Sequence, residues 1–187
     1  MGKILFIDIA ETPELILAEK KKERITLLER TEFKKEELRD LRSKLNSGSI
    51  VLKAPLIYLS LPPEVFGFRV IELPFKEEHK IREVIPFELR ERVMEDPETL
   101  VYDFVRLSDG GPEKVLIAYI KKDELTDIIK PLSDQGLEPD VIGSLGLRHI
   151  IDKGFKPEDL INPPKYREDL TALIEKEAER PVINLLK

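Results

Sequence analysis

The chain has 187 residues, of which 41% are hydrophobic and 36% charged, with a formal net charge of −6. That is enough apolar material for one large domain or two small ones, and the mixed charge holds no basic block of the kind a nucleic-acid footprint needs. Cysteine is absent, which excludes disulfides, thiolate chemistry and cysteine-based metal sites. The two histidines, His79 and His149, stand far apart in no ligand-type spacing and read as surface or capped residues.

Ile4-Leu5-Phe6-Ile7 directly follows Met1-Gly2-Lys3 and is too short for the apolar core of a signal peptide. No apolar run approaches the roughly 20 residues of a membrane helix. The piece therefore reads as soluble and cytoplasmic.

In chain order, 3–9 (KILFIDI), 14–20 and 24–30 read as three strands, the second and third joined by a charged hairpin. A helix is expected over 34–45, with Leu38, Leu41 and Leu45 on one face and Gly48 available as a left-handed cap. Strands at 49–52 and 56–61 follow, and Pro62-Pro63 stops regular structure. A second pattern begins at Phe68: a strand at 68–75 and a helix over 77–94 that Pro86 should kink or restart. Strands at 100–107 and 114–121 are joined by Asp109-Gly110-Gly111-Pro112. A helix at 123–135 stopped by Gly136 and a last strand at 139–143 complete the order β-α-β-β-α-β, that of a ferredoxin-like unit. Beyond it, 144–153 reads as a helix, 154–165 as a Pro-rich linker, 166–179 as a charged helix and 181–186 as a short apolar finish.

Leu73-Pro74-Phe75, Lys80-Ile81, Val84, Pro86-Phe87-Glu88-Leu89 and Glu91 resemble the stretch after the Pro-rich turn in the type II secretion L proteins (GspL) and in PilM. Asp103 and Gly136-Leu137-Glu138-Pro139-Asp140-Val141-Ile142-Gly143 continue the resemblance, which covers residues 1 to about 148. It implies an α+β fold: an actin-like, ribonuclease-H-like subdomain over 1–62 with an inserted ferredoxin-like βαββαβ subdomain over 63–143. Residues 144–187 would be a helical linker and tail. In the family a second ribonuclease-H-like half follows and nucleotide sits between the halves. After Gly143 only 44 residues remain, too few for it, so the actin-like part is truncated.

Actin-like nucleotide binders place Asp-x-Gly between the first two strands, because a glycine backbone must approach the phosphates closely. Here the match is Asp8-Ile9-Ala10 followed by Glu11, with a Cβ and a further negative charge where phosphate would lie. No G-K-[S/T] loop occurs, which excludes a P-loop enzyme. No catalytic, cofactor-binding or metal-ligating residue is expected, and no cofactor. Paired carboxylates such as Glu36-Glu37 and Glu77-Glu78 alternate with Lys and Arg as on solvated helix faces.

The tail carries a second resemblance. Val182-Ile183-Asn184-Leu185-Leu186 is similar to the cytoplasmic Ile-Asn-Leu-Leu-Pro peptide of PilN, which PilM binds, with Lys187 at the proline position. A related motif precedes the membrane span of the secretion L proteins, so the resemblance implies such a span beyond Lys187. Residues 182–186 are expected to fold back into a groove between the two subdomains, with apolar side chains filling it and Asn184 satisfying backbone groups. Arg82, Arg90 and Arg92, on the charge-dense helix 77–94, are the other candidate partner-binding residues. The partners implied are a GspE-like secretion ATPase and GspM- or GspF-like inner-membrane platform proteins, with a homodimer allowed and nucleic acid excluded. The role implied is a non-catalytic scaffold on the cytoplasmic face of the bacterial inner membrane. The alternatives are a degenerate actin-like ATPase that still binds nucleotide, and a ferredoxin-like module that binds a small ligand.

Overall fold

The computed structural model describes residues 2–10, 12–22, 24–47, 56–107 and 111–186. The expected strand at 49–52, the Gly48 cap, Glu11, the first part of the 109–112 turn and Lys187 lie outside the described residues. The strands are β1 (Gly2–Asp8), β2 (Glu14–Lys21), β3 (Arg24–Glu32), β4 (Leu56–Ser60), β5 (Gly67–Leu73), β6 (Leu100–Leu107), β7 (Glu113–Lys121) and β8 (Val141–Gly143). The helices are α1 (Leu41–Ser47), α2 (Glu78–Arg92), α3 (Lys122–Ser133), α4 (Leu145–Asp152) and α5 (Leu170–Glu179). Among the described residues no helix is long and apolar enough to cross a membrane.

The architecture is mixed α+β, built on two sheets. The larger has the order β3-β2-β1-β4-β8: β1, β2 and β3 run antiparallel in sequence, while β4 and β8 add in parallel beyond β1. Side chains alternate between the faces of a strand, so the near-continuous apolar runs of β1 and β2 mean that both faces are covered. Leu5, Ile7, Leu15 and Leu17 point to one core, where α1 and α3 contribute Leu41, Leu45, Leu125 and Leu132. Ile4, Phe6, Ile16, Ala18 and Tyr58 point to the other, against Leu145, Leu170, Leu173 and Ile174. The helix read at 166–179, with Leu145 of α4, is thus the back layer of this sheet, whereas Phe155 and Leu160 of the Pro-rich stretch and the 182–185 tail pack on the front core. The second face of β1 and β2 would otherwise stand in water, and α4 and α5 supply its cover.

The smaller sheet is antiparallel, in the order β5-β7-β6. α2 lays Ile81, Ile85 and Leu89 on one face, against Ile71, Phe104, Val115 and Ile117. Of the two expected outcomes at Pro86, a kink or a restart, the restart does not occur: one helix runs through it. Proline removes one backbone bond, and burial of Ile81, Ile85 and Leu89 on either side holds the helix to the sheet. On the opposite face Leu116, Ala118 and Ile120 of β7 join the front core of the larger sheet, so β7 is shared between the two.

Two expectations are corrected here. The 139–143 strand does not become the fourth strand of the smaller sheet. β8 pairs with β4, Tyr58 opposite Val141 and Ser60 opposite Gly143. Asp140 decides this: its backbone N–H donates to the Ile57 carbonyl at 2.8 Å and its carboxylate accepts from Ile57 N at 2.7 Å. The helix expected over 34–45 begins instead as a 3-10 turn at Lys35–Asp40 and becomes α-helical only at Leu41. The side-chain amide of Gln135 enters at the join. It donates to the Leu38 carbonyl (2.8 Å) and accepts from Arg42 N (3.0 Å), the pair that a continuous α-helix would bond to each other. Gln135 reaches this position because α3 ends at Ser133 and Gly136 follows with φ +69°, a conformation that favours glycine.

Candidate functional site

The edge of the larger sheet at β8 is covered by the last residues of the chain. An open edge presents unpaired N–H and C=O groups. Here Leu185 N donates to the Ile142 carbonyl at 3.0 Å, and Ile142 N donates back to Asn184 Oδ1 at 3.4 Å. The Asn184 side chain thus stands in for a strand carbonyl, and it also accepts from Leu186 N at 3.1 Å. Val182, Ile183 and Leu185 are buried in the front core, whereas Leu186 is about half exposed. Burial of three such side chains contributes about 1.5–3 kcal/mol each before ordering costs.

Two buried carboxylates hold two further main-chain amides of the tail. Asp103, on β6, accepts from Asn184 N at 2.8 Å and pairs with Arg82 Nη1 at 3.2 Å. Glu177, on α5, accepts from Val182 N at 2.9 Å, from Arg148 Nε at 2.5 Å and from the Tyr58 hydroxyl. Burial pushes the Glu177 carboxyl up, opposed by its bonds to Tyr58, Arg148 and Val182; burial and the neighbouring Glu177 hold the Tyr58 hydroxyl well above its usual value. Charged acceptors make stronger bonds to N–H than neutral ones, and each carboxylate here has its own guanidinium. Gly143 completes the seat. A Cβ there would fall 2.1 Å from the Tyr58 hydroxyl and 3.0 Å from the Ile183 carbonyl, so only glycine lets β8, Tyr58 and the tail meet.

A second candidate lies at the end of β1, in a cleft of about 200 Å³ lined by Asp8, Ala10, Glu14, Glu64, Tyr166 and Arg167 among others. The Tyr166 hydroxyl donates to Asp8 Oδ2 at 2.7 Å. Burial pushes the Asp8 carboxyl up to about 6; hydroxyl bonds from Ser60 and Tyr166 oppose this, and the nearby Glu14 adds to it. Glu14 itself is bound by Arg30 at 2.8 Å and Arg167 at 2.9 Å. These residues do not fit nucleotide phosphates. Ala10 carries a Cβ and Asp8 is covered by Tyr166; Glu64 adds a negative charge, whereas Glu14 is already paired with Arg30 and Arg167, and Lys165 lines the cleft as well. Among the described residues no group of three or more His, Asp or Glu is placed to hold a metal ion.

With this geometry in hand the chain can be set beside known proteins. No family model matches it and no curated protein matches it. Among solved structures it is similar to the cytoplasmic domain of EpsL, an inner-membrane component of the type II secretion system of Vibrio cholerae, at 14% identity and TM-score 0.55. It is also similar to a chain of the PilM–PilN type IV pilus biogenesis complex, at 16% identity and TM-score 0.60. The chain shares their fold. About four fifths of it is matched in each case, 79% and 80%, but that covers only 59% and 48% of those chains, less than two thirds of either.

Of the residues singled out from sequence, the structure brings Val182, Ile183, Asn184, Leu185 and Arg82 together at the seat, with Leu186 at its rim. Arg90 and Arg92 are elsewhere: both are exposed at the end of α2, and Arg92 pairs with Glu88 on its own helix at 2.9 Å. His149 is buried rather than superficial, 3.5 Å from Asp169, with burial holding its pKa below the usual value. Sequence reasoning missed Tyr58, Arg148 and Glu177 at the seat and Tyr166 over Asp8. One signal was present. Glu177 continues the Leu170, Leu173, Ile174 stripe at i+7, an apolar-face position where a carboxylate must find partners.

Proposed function

We propose that this chain is a non-catalytic scaffold of a type II secretion or type IV pilus platform, whose working site is the peptide seat along β8. The observation that carries the reading is the seating of 182–186: a sheet edge paired by a peptide, apolar side chains in a shared core, and main-chain amides held by Asp103 and Glu177. This is peptide capture at a sheet edge, through one main-chain bond and the Asn184 side chain in place of a second, and nothing in its chemistry requires the peptide to be covalently attached. A peptide of the same pattern on a membrane-platform protein fits the same positions. A tethered occupant enjoys a high effective concentration, so the chain's own tail sets the threshold that an incoming peptide must exceed.

In this reading the smaller sheet with α2 is an insertion of ferredoxin-like type in an actin-like frame, lacking its fourth strand. The scaffold joins a cytoplasmic secretion ATPase to the membrane platform. The likeness to EpsL and PilM supports that setting through fold alone. The competing reading, a degenerate nucleotide-binding ATPase, finds no support at Asp8 and Ala10. Calorimetry with ATP and Mg²⁺ that gave a low-micromolar dissociation constant would restore it.

The test uses a full chain carrying Ile183→Asp and Leu185→Asp, which empties the seat, and titrates in a labelled peptide of sequence Pro-Val-Ile-Asn-Leu-Leu. Saturable binding that is lost with an Asn-to-Leu peptide is the expected result. Absence of binding to the emptied seat sinks the proposal. Co-purification with the cognate hexameric ATPase at modest salt tests the coupling role separately.

A further inference from the structure

An open sheet edge is a template for pairing with another chain, and among the described residues the edges of the two sheets are guarded unequally. β8 is closed by the tail. β3 carries Arg24, Glu29, Arg30 and Glu32, and its register shifts opposite Leu17 and Ala18, an irregularity that spoils pairing from outside. β6 turns Asp103 to Arg106 toward Arg180, Pro181 and Val182 across a cleft. β5 has none of these defences. It pairs with β7 in unbroken register, and among the described residues no strand pairs with its other side. Its two charges are engaged within the chain: Arg69 donates to the carbonyls of Phe68 (2.7 Å) and Arg92 (3.4 Å), and Glu72 stands 3.6 Å from Lys114. Val70, at the centre of the strand, is 41% exposed.

We propose that β5 is a dimerisation edge, where a second copy of this chain adds its own β5 antiparallel and joins two three-stranded sheets into one of six strands. The strand's own sequence selects this occupant. Two copies related by a two-fold axis normal to the sheet place one residue on the axis, opposite itself, and opposed side chains share a face. With Arg69 on the axis, like charges would meet. With Ile71 on the axis, Pro74 would fall opposite Phe68 and bring no N–H to the ladder. With Val70 on the axis, all seven residues of β5 are paired: Val70 with Val70, Arg69 with Ile71, Phe68 with Glu72 and Gly67 with Leu73. No like charges are then opposed. The last pair fits a feature of the fold. A Cβ on Gly67 would fall 2.2 Å from the Tyr119 ring, so that ring fills the space over Gly67. Leu73 of the second copy is set beside it, a favourable aromatic–aliphatic contact, and the exposed Val70 leaves water in the same step. The seat lies on the other sheet, so failure of this proposal leaves the peptide titration above untouched.

The experiment is sedimentation equilibrium of the unaltered chain from micromolar to near-millimolar concentration. A reversible monomer–dimer equilibrium is expected. Val70→Glu and Val70→Lys each set like charges face to face on the axis and should weaken the dimer at least about tenfold. An equimolar mixture of the two variants opposes Glu to Lys and should dimerise again. A chain that stays monomeric throughout overturns the proposal and leaves the edge to a strand of another protein. A dimer untouched by either variant also overturns it, placing the contact on another face, such as that of the exposed Phe87. Loss in both variants without rescue on mixing overturns it as well, because only a register centred on Val70 brings the two new charges together. Val70 is exposed, so neither change enters the core, and circular dichroism establishes that both variants are folded.

Discussion

Asp103 with Glu177 at the seat, and Asp8 at the end of β1, are all nearly excluded from water, yet their surroundings differ in kind. Each seat carboxylate has a guanidinium, Arg82 or Arg148, and a main-chain amide of the tail. Asp8 has the Tyr166 hydroxyl on Oδ2, a buried Oδ1 that has no hydrogen-bond partner among the described residues, and Glu14 nearby acting against it. A buried charge is tolerated when a partner compensates its desolvation and is otherwise driven to protonate. The seat is therefore built to hold a backbone at neutral pH, whereas the Asp8 cleft is closed at a cost that grows as its proton leaves. The same C-terminal stretch covers both, but at the seat its amides meet the carboxylates themselves, whereas over Asp8 it brings only the Tyr166 hydroxyl and its Arg167 pairs with Glu14 instead.

The largest effect that would break this contrast is at the seat. Ile183→Asp with Leu185→Asp places two carboxylates in the front core, and we expect a loss of about 4 kcal/mol with release of the tail. Denaturant unfolding gives the loss. Hydrogen exchange should show protection lost at Ile142, Leu185 and their neighbours, while β1, β2 and β7 stay protected.

Asp8→Asn should act in the opposite direction. With its pKa near 6 in the fold and 3.8 unfolded, Asp8 stays protonated in the folded chain over a range where the unfolded chain has already ionised. Stability therefore falls as pH rises from about 4 to 6, and the penalty persists above that. At about 1.4 kcal/mol per pH unit it is of order 3 kcal/mol at most. The Asn variant should gain up to that amount at pH 7–8 and almost nothing at pH 4. Thermal unfolding across pH checks this, and an unchanged pH slope would remove the contrast with the seat.

A smaller loss is expected for Asp103→Asn, which keeps an acceptor for Asn184 N but withdraws charge from Arg82: about 1–2 kcal/mol, read by chemical denaturation. The smallest concerns Arg90→Glu with Arg92→Glu. These exposed side chains should leave stability within about 0.5 kcal/mol and leave tail exchange unaltered. Affinity for the cognate ATPase, measured on the same variant, decides whether the end of α2 is a docking face.

Much of this was legible in particular residues. Alternation and spacing gave β1 to β3, the antiparallel neighbours β6 and β7 and the α2 face of Ile81, Ile85 and Leu89. The near-continuous apolar run of Ile4 to Ile7 already implied two covered faces, and so a second layer; that consequence identifies α4 and α5 as cover rather than linker. What pattern could not reach was the partner of each strand. Val141-Ile142-Gly143 suits either sheet, and the choice rests on Asp140 bonding Ile57, two residues 83 positions apart. The same limit hid the Gln135 wedge at Leu38 and Arg42, because a side-chain amide that divides a helix leaves no trace in the helix's own sequence.

The order of the seat's bonds along the chain has a mechanical consequence. A pull applied at Leu186 would load the Leu185–Ile142 bond first, then Asn184–Asp103, then Val182–Glu177, before reaching α5. Bonds strained one after another yield like a zip, at low force. α5, pressed on the sheet through Leu170, Leu173 and Ile174, must be levered off as a unit. Tension along this end of the chain would thus meet a soft first stage and a stiff second, a mechanical fuse that opens the edge of β8 while the central sheet stays whole.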